Sequence, residues 1–153
     1  MRRGYSLIEM IVSMMIFSTL AVVGGMVFFS NVVMFDKRMS SADLWQEANV
    51  FIEAVTEDVR EASRVDVPSG SDDVLIGYDR DGNQAFRYEI ADDGKVRALS
   101  GPWGGTVFTR RADSSKSGFE HYGNMIDVSI TLIDPSFVKD IAVATGTRIV
   151  LRN

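Results

Sequence analysis

The segment from Met10 to Phe35 constrains this chain most, because it contains no Asp, Glu, Lys or Arg. A helix needs roughly 20 apolar residues to cross the ~30 Å hydrocarbon core of a bilayer. The segment is long enough to do so with some tilt, and we predict one membrane-spanning helix here. The rest of the chain is therefore expected to be anchored to a membrane.

Glu9 does not suit a simple anchor, since it lies directly before the uncharged segment. A carboxylate inside the bilayer costs roughly 2.5–3.5 kcal/mol on insertion scales, so we expect it to have a partner. No Lys or Arg follows it before Lys37. If the chain were cut after Gly4, a new α-amino group would arise at Tyr5. That amine, on a neighbouring copy, would neutralise Glu9.

The stretch Arg2–Glu9 and the apolar segment after it resemble the prepilin leader and N-terminal segment of type IV pilins and type II secretion pseudopilins. The resemblance implies that a prepilin peptidase cleaves after Gly4 and methylates the new N-terminus, Tyr5. It further implies that Glu9 pairs with the terminal amine of an adjacent subunit during assembly. Tyr5 departs from the common pattern, in which Phe is the usual residue.

A second departure from the resemblance lies within the apolar segment. Many relatives have a helix-kinking Pro there, whereas this chain has Gly24-Gly25. Each Gly in a helix interior costs roughly 1 kcal/mol relative to Ala. The pair therefore favours a bend or local melting of the helix.

Two other interpretations of the N-terminus stay open. In the first, Met10 to Leu20 is the apolar core of a cleavable secretory signal that ends near Ala21. The apolar run continues well past Ala21, which argues against this signal. In the second, the segment is an ordinary single-pass anchor with Glu9 at the level of the lipid headgroups.

Length and charge limit the remainder of the chain. Its 153 residues leave room for one domain beyond the membrane segment. The net charge is −5, and removal of Arg2 and Arg3 would lower it by two to −7, which argues against general affinity for nucleic acids. The absence of cysteine excludes disulfides and thiolate metal sites.

The charges flanking the apolar segment do not decide its orientation in the membrane. Arg2 and Arg3 before the helix balance Lys37 and Arg38 after it, so the orientation rests on the resemblance, in which the leader faces the cytoplasm.

The residues after Asp36 carry an apolar stripe with helical spacing. We predict that α-helix continues without a break from about Leu7 to Arg64. The resemblance implies that its first half lies in lipid and its second half packs on a head domain. The stripe consists of Leu44, Ala48, Phe51, Val55, Val59 and Ala62.

The second part of the chain has strand patterns separated by turns. Pro68 to Asp72 is predicted to be a loop, and the turns Asp79–Asn83 and Asp92–Gly94 separate three strands of an antiparallel meander. The predicted strands are Val74–Tyr78, Gln84–Ile90, Lys95–Leu99, Ile126–Ile133 and Gly146–Leu151. The fold class is therefore α+β and pilin-like, with one long N-terminal helix packed on an antiparallel head domain. The predicted divisions are residues 1–4 (leader), 5–35 (membrane and assembly helix), 36–65 (amphipathic half of the helix) and 66–153 (head).

Two further patterns are weaker candidates for sites. Asp79-x-Asp81-x-Asn83 resembles the start of a calcium loop, but Gly82 precedes Asn83 instead of following it, so we interpret it as an Asp-Gly hairpin turn and expect no metal. Arg110, Arg111 and Lys116 lie among the aromatic residues Phe108, Phe119 and Tyr122, and we interpret this basic stretch as a solvated loop.

Nothing in the chain suggests catalysis. His121 is the only histidine, so neither a pair of histidine ligands nor a histidine-based triad can form within one chain. The acidic pairs Asp72-Asp73 and Asp92-Asp93 fall in predicted turns. We therefore expect no catalytic residues, no cofactor and no enzymatic activity.

The resemblance implies a minor subunit, most like a minor pseudopilin of the J type or a minor pilin of the W type. Its expected partners are prepilin peptidase, other pilin or pseudopilin subunits, the inner-membrane assembly platform and membrane lipid, but no nucleic acid. It is expected to cross the bacterial inner membrane once, with its N-terminus cytoplasmic and its head periplasmic, and to enter a filament near the tip. The alternative is a membrane-tethered periplasmic binding domain that never polymerises.

Overall fold

The computed structural model describes residues 6–134 and 141–151. Within them, helix α1 spans Leu7–Glu61. The strands are β1 (Arg64–Asp66), β2 (Val74–Tyr78), β3 (Gln84–Ile90), β4 (Val96–Ser100), β5 (Val107–Thr109), β6 (Gly118–Tyr122), β7 (Met125–Asp134) and β8 (Ile141–Val150). A 3-10 turn lies at Ser114–Lys116. The chain divides into two compact units, Met1–Met39 and Ser40–Asn153.

The predicted α+β fold class is confirmed: one long N-terminal helix is followed by antiparallel sheets. The first sheet has the strand order β1-β2-β3-β4-β5 and the second has the order β6-β7-β8. The predicted meander forms the centre of the first sheet, in which β2 pairs with β3 and β3 with β4. The last pairing of the chain is the longest, running from Met125↔Val150 to Asp134↔Ile141.

Helix α1 ends earlier than predicted, at Glu61 instead of Arg64. The next residues form β1, which pairs with β2 in the register Arg64↔Tyr78. Val65 explains this change, because its β-branched side chain suits a strand and is almost fully buried. Arg64 and Asp66, on either side of it, alternate toward the opposite face.

The core of the second unit lies between α1 and both sheets. All of the predicted helical stripe from Leu44 to Val59 is buried, while Ala62 lies just past the helix and is partly buried. Phe51 occupies the centre, where its ring meets those of Tyr88, Phe108 and Phe119 at centroid distances of 6.0, 5.5 and 6.4 Å. One aromatic side chain therefore joins the helix to strands of both sheets.

Gly77 in β2 allows Phe86 of β3 to lie flat across it. The two residues are cross-strand partners, and a Cβ at position 77 would overlap the Phe86 ring. We expect Gly77→Ala to lower the free energy of unfolding by about 1–3 kcal/mol, the usual cost of overpacking a core. Urea titration of the detergent-solubilised chain, followed by near-UV circular dichroism, measures this change.

Phe86→Leu provides the control for this prediction, because it shortens the side chain that the new Cβ meets. The cost of Gly77→Ala should be smaller in the Phe86→Leu background than in the wild type, as in a double-mutant cycle. Equal costs in the two backgrounds would show that Gly77 is not required for packing against Phe86.

Candidate assembly site

Helix α1 begins with a reciprocal cap between Ser6 and Glu9. The Ser6 backbone N–H donates to Glu9 Oε2 at 3.0 Å, and the Glu9 backbone N–H donates to Ser6 Oγ at 3.3 Å. This pattern is a capping box, which satisfies two donors that helical hydrogen bonding leaves unpaired. This cap was not predicted from the sequence, although Ser-x-x-Glu before an apolar run is its recognised signature. Glu9 therefore has a use within its own chain.

The other predicted residues of this site, Gly4 and Tyr5, lie outside the described residues. Cleavage after Gly4, methylation of Tyr5 and pairing of the Tyr5 amine with Glu9 therefore stay predictions. Glu9 itself is exposed at the first turn of α1. Its second carboxylate oxygen, Oε1, accepts no hydrogen bond from the described residues. The cap thus leaves one oxygen available to another donor.

The surface that follows the cap is apolar and uncovered. Within the described part of the chain, α1 is the one helix long and apolar enough to cross a membrane, judged by length and composition. From Leu7 to Phe35 its large apolar side chains are exposed except for the half-buried Val33. Such a surface requires lipid or other apolar helices around it.

Two hydroxyl groups in this apolar segment are compatible with such surroundings. The hydroxyls of Ser18 and Thr19 both donate to the Met15 carbonyl, at 2.9 and 2.8 Å. They are therefore satisfied within the helix, as a hydrocarbon environment requires. The backbone stays helical through Gly24 and Gly25, so the local melting considered above is not observed. A Cβ at either position would meet nothing within 4 Å.

In the second unit, polar contacts tie the helix to the strands. Glu47 accepts hydrogen bonds from Thr109 Oγ1 at 2.6 Å and from the Arg111 guanidinium. Arg111 also lies 3.7 Å from Asp134, which accepts a hydrogen bond from the Ser40 hydroxyl. The hydrogen bond to Glu47 is the main cause that raises the pKa of Arg111. These side chains secure the start of the second unit.

The basic stretch considered above does not form a common surface. Arg111 is engaged by Glu47, and Lys116 pairs with Asp113 at 3.0 Å. Phe119 is fully buried, and Phe108 packs against Phe51 in the core. Phe108 and Phe119 are therefore not available for stacking on bases, whereas Tyr122 is exposed and its hydroxyl donates to Glu120.

Asp79 shapes the turn between β2 and β3. Its Oδ1 accepts the backbone N–H groups of Asp81 and Asn83, each at 2.9 Å. The hydrogen bond from the Asn83 backbone is the main cause that lowers the pKa of Asp79. This carboxylate is thus occupied in the hairpin turn that we expected, and the described residues contain no group of three or more potential metal-binding side chains.

Asp58 and Tyr88 form a buried pair that the sequence analysis missed. The Tyr88 hydroxyl donates to Asp58 Oδ2 at 2.6 Å across the interface between α1 and β3. Burial raises the pKa of the Asp58 carboxyl above its ordinary value, the Tyr88 hydrogen bond opposes the rise, and Glu57 and Glu61 add to it. Burial, followed by the hydrogen bond to Asp58, raises the pKa of Tyr88. The pair is structural, since it lies inside the core.

This pair makes stability depend on pH with a defined sign. Between the ordinary pKa of Asp58, 3.8, and its raised value, the folded chain binds a proton that the unfolded chain does not. The contribution of Asp58 to stability therefore falls as the pH rises through that window. In Asp58→Asn the amide does not titrate, and its oxygen still accepts from Tyr88. We expect the free energy of unfolding of this variant, minus that of the wild type, to be more positive at pH 7 than at pH 3.

Asp127→Asn is a control with the opposite sign. Arg148 donates to Asp127 at 2.7 and 2.6 Å and lowers the pKa of this carboxyl. Its contribution to stability is present above pH 3.8 and is lost as the pH falls, so the same difference should be more negative at pH 7 than at pH 3. Urea titrations at both pH values measure the two differences. An Asp58→Asn difference that does not change with pH would show that this carboxyl has the same pKa in both states.

Residues 1–25 match the family model described as the prokaryotic N-terminal methylation motif. The match covers Gly4, Tyr5, the capping box and the first part of α1, and it ends at Gly25. Neither a curated protein nor a solved structure matches the chain.

The motif supports the pilin and pseudopilin family, and it indicates a structural subunit instead of an enzyme. It implies processing by prepilin peptidase and interaction with other pilins. Together with the apolar helix, it fits a protein anchored in the inner membrane by a single span.

Proposed function

We propose that this chain is a minor pilin or pseudopilin subunit that assembles through its N-terminal helix into a type II secretion pseudopilus or a type IV pilus-like filament, near the tip. Prepilin peptidase cleaves between Gly4 and Tyr5 and methylates Tyr5. The observation that carries this proposal is the methylation motif at residues 1–25, which continues directly into an apolar helix whose large side chains are almost all exposed.

Glu9 is the assembly residue in this proposal. Its Oε1 is not used by the cap, so the carboxylate can accept the Tyr5 amine of a neighbouring subunit while it keeps its bond to the Ser6 N–H. Such a pair offsets the cost of placing each charge in an apolar environment. It joins two copies staggered along a filament, with lipid and the inner-membrane assembly platform as further partners.

The head domain supports a minor subunit of the J or W type. Its order of Phe86-x-Tyr88-x-Ile90, a turn and Lys95-Val96-Arg97 lies in β3, the following turn and the start of β4. In this arrangement the head is periplasmic and the leader is cytoplasmic. The proposed divisions at residues 4 and 35 separate leader, membrane helix and amphipathic helix. The predicted boundary at residue 65 falls inside β1, so the head begins a few residues earlier, after α1 ends at Glu61.

One observation favours the alternative, a membrane-tethered periplasmic domain that does not polymerise. The capping box gives Glu9 a purpose in an isolated helix, so a tether also has a use for this carboxylate. The two functions differ in what they require of the Glu9 charge, because a cap needs only a hydrogen-bond acceptor and an intersubunit ion pair needs the negative charge.

The experiment that tests the function uses the full chain with a C-terminal tag, expressed in its native host. Intact-mass analysis of the membrane-extracted protein should show the loss of Met1 to Gly4 and the addition of one methyl group. Proteins carrying the same N-terminal motif should co-isolate with it. A strain without prepilin peptidase is the control. A mass that retains Met1 to Gly4 in cells with active peptidase would overturn the proposal.

A further inference from the structure

A cleft of about 850 Å³ opens where α1 ends, at the edge of the first sheet. One wall is the last turn of α1 and strand β1, and another is the end of the hairpin between β6 and β7. The polar side chains that line the cleft include Arg60, Arg64, Asp66, Arg80, His121 and Asn124. The Leu151 N–H donates to the Asn124 carbonyl at 2.8 Å, which ties the end of β8 to this wall.

The cleft holds positive charge that the described residues do not neutralise. Arg64 pairs with Asp66 at 2.5 Å and lies over the Tyr78 ring. Arg60 and Arg80, by contrast, have no ion pair with any described residue, and both are exposed. The two free guanidinium groups can bind carboxylates through parallel hydrogen bonds.

The cleft also presents an unpaired strand edge. β1 is the first strand of its sheet, and β2 occupies only one of its sides. Three residues of β1 line the cleft, while no residue of β2 does. An edge strand carries backbone N–H and C=O groups that can pair with an added strand. The cleft therefore offers both main-chain partners and cations.

We propose that this cleft binds an extended, acidic segment of a neighbouring filament subunit, which pairs with the free edge of β1 and places carboxylates on Arg60 and Arg80. The identity of the partner rests on the proposed function. Glu61 and Asp66 in the walls can accept N–H donors, which a peptide backbone carries and a sugar-phosphate backbone lacks, and this favours a peptide over a nucleic acid. The short edge limits the paired segment to a few residues.

The test uses the full chain in detergent micelles and a fluorescein-labelled octapeptide that alternates Thr with Glu. Fluorescence anisotropy should show saturable binding. Arg80→Glu should weaken binding about tenfold or more, because it sets like charges against each other. Arg110→Glu is the matched control, since it makes the same charge change at an exposed arginine outside the cleft, and it should change the affinity less than about twofold. The side chain at position 80 takes no part in the Asp79 turn, so the fold should persist.

Two further measurements distinguish strand pairing from simple charge attraction. An octapeptide of equal charge, in which Pro replaces two of the Thr residues, should bind more weakly because it lacks those N–H donors. Hydrogen exchange should slow at the amides of Arg64–Asp66 when the Thr-Glu peptide binds. Absence of binding, equal effects of the two Arg variants, unchanged exchange in β1, or tighter binding of an octamer of deoxythymidine would each overturn the proposal.

The outcomes separate this proposal from the proposed function. If the chain enters filaments but its peptide binding does not depend on Arg80, the cleft proposal alone is wrong. If binding depends on Arg80 but the chain never co-isolates with subunits that carry the N-terminal motif, the proposed function fails. The assignment of the peptide to a filament subunit then fails with it.

Discussion

Replacement of Glu9 with Gln is expected to abolish entry of the chain into filaments without affecting its membrane insertion. Gln retains the oxygen that accepts the Ser6 N–H, so the capping box persists. It removes the negative charge, which leaves the amine of a neighbouring Tyr5 without a counter-ion in an apolar environment. Breaking a buried ion pair in this way costs about 3–5 kcal/mol. Co-isolation of tagged chain with filament subunits from membranes measures the loss.

Ser6→Ala is the matched control for this prediction, because it keeps the Glu9 charge and removes the hydroxyl of the cap. We expect it to weaken the start of the helix by about 1 kcal/mol and to leave assembly largely intact. Glu9→Leu should block assembly as Gln does, and Glu9→Asp should impair it less, since only its reach is shorter. Processing at Gly4 is checked by intact mass in each variant. If Glu9→Gln assembles at the wild-type level while Ser6→Ala does not assemble, the prediction is wrong and Glu9 acts only as a helix cap.

Phe51→Ala is expected to have the largest effect on the head domain. We expect the fragment of residues 36–153, which contains the whole second compact unit, to fold as a monomer without the membrane helix. Phe51 is fully buried at the meeting point of α1 and both sheets. Its truncation should lower the free energy of unfolding by about 3–5 kcal/mol, out of the roughly 5–15 kcal/mol typical of a domain. Thermal melts followed by circular dichroism measure this change.

Val50→Ala is the control, one residue earlier on the same helix and exposed. A substitution at such a surface position should change stability by no more than about 0.5 kcal/mol. The prediction is wrong if the two variants melt alike. A fragment that shows no cooperative melt would contradict the independence of the second unit.

Periodicity predicted the main elements because their patterns are long. The uncharged segment and the stripe that follows indicated one continuous helix, and the structure has it over Leu7–Glu61. β2 and β3 begin and end where alternation and turn residues placed them. Strands β1, β5 and β6 were missed. β1 and β5 have only three residues each, too few to display a period, and all three strands depend on pairing with neighbouring strands.

Gly146 explains the error in the last strand. The sequence analysis began this strand at Gly146, whereas β8 begins at Ile141 and has Gly146 in its interior. A Cβ at this position would lie 2.8 Å from the Val128 carbonyl oxygen, so the glycine marks a close approach of two backbones and not a strand end. This distinction depends on the pairing of β8 with β7, which no local pattern reveals.

The features of the candidate sites also differ in whether the sequence could predict them. The capping box is local, and the pattern Ser6-x-x-Glu9 contained all the information required to predict it. The Asp58–Tyr88 pair joins residues 30 positions apart, and the cleft beside β1 is built from segments as distant as Arg60 and Asn124. Such groupings arise from tertiary structure and have no signature in a single sequence.

The hydrogen bond from Ser40 to Asp134 has a consequence for biosynthesis. It joins residues 94 positions apart, so the start of the second unit is made long before β7, to which it is hydrogen-bonded. At translation rates of about 5–20 residues per second, roughly 5–19 seconds separate the two residues as they leave the ribosome. Until β3 and β5 have been made, Phe51 lacks the Tyr88 and Phe108 rings against which it packs, and it lacks Phe119 until β6 follows. In the proposed orientation, the amphipathic helix therefore crosses the membrane before the strands that cover it, and the second sheet closes on it only after β7 and β8 have followed.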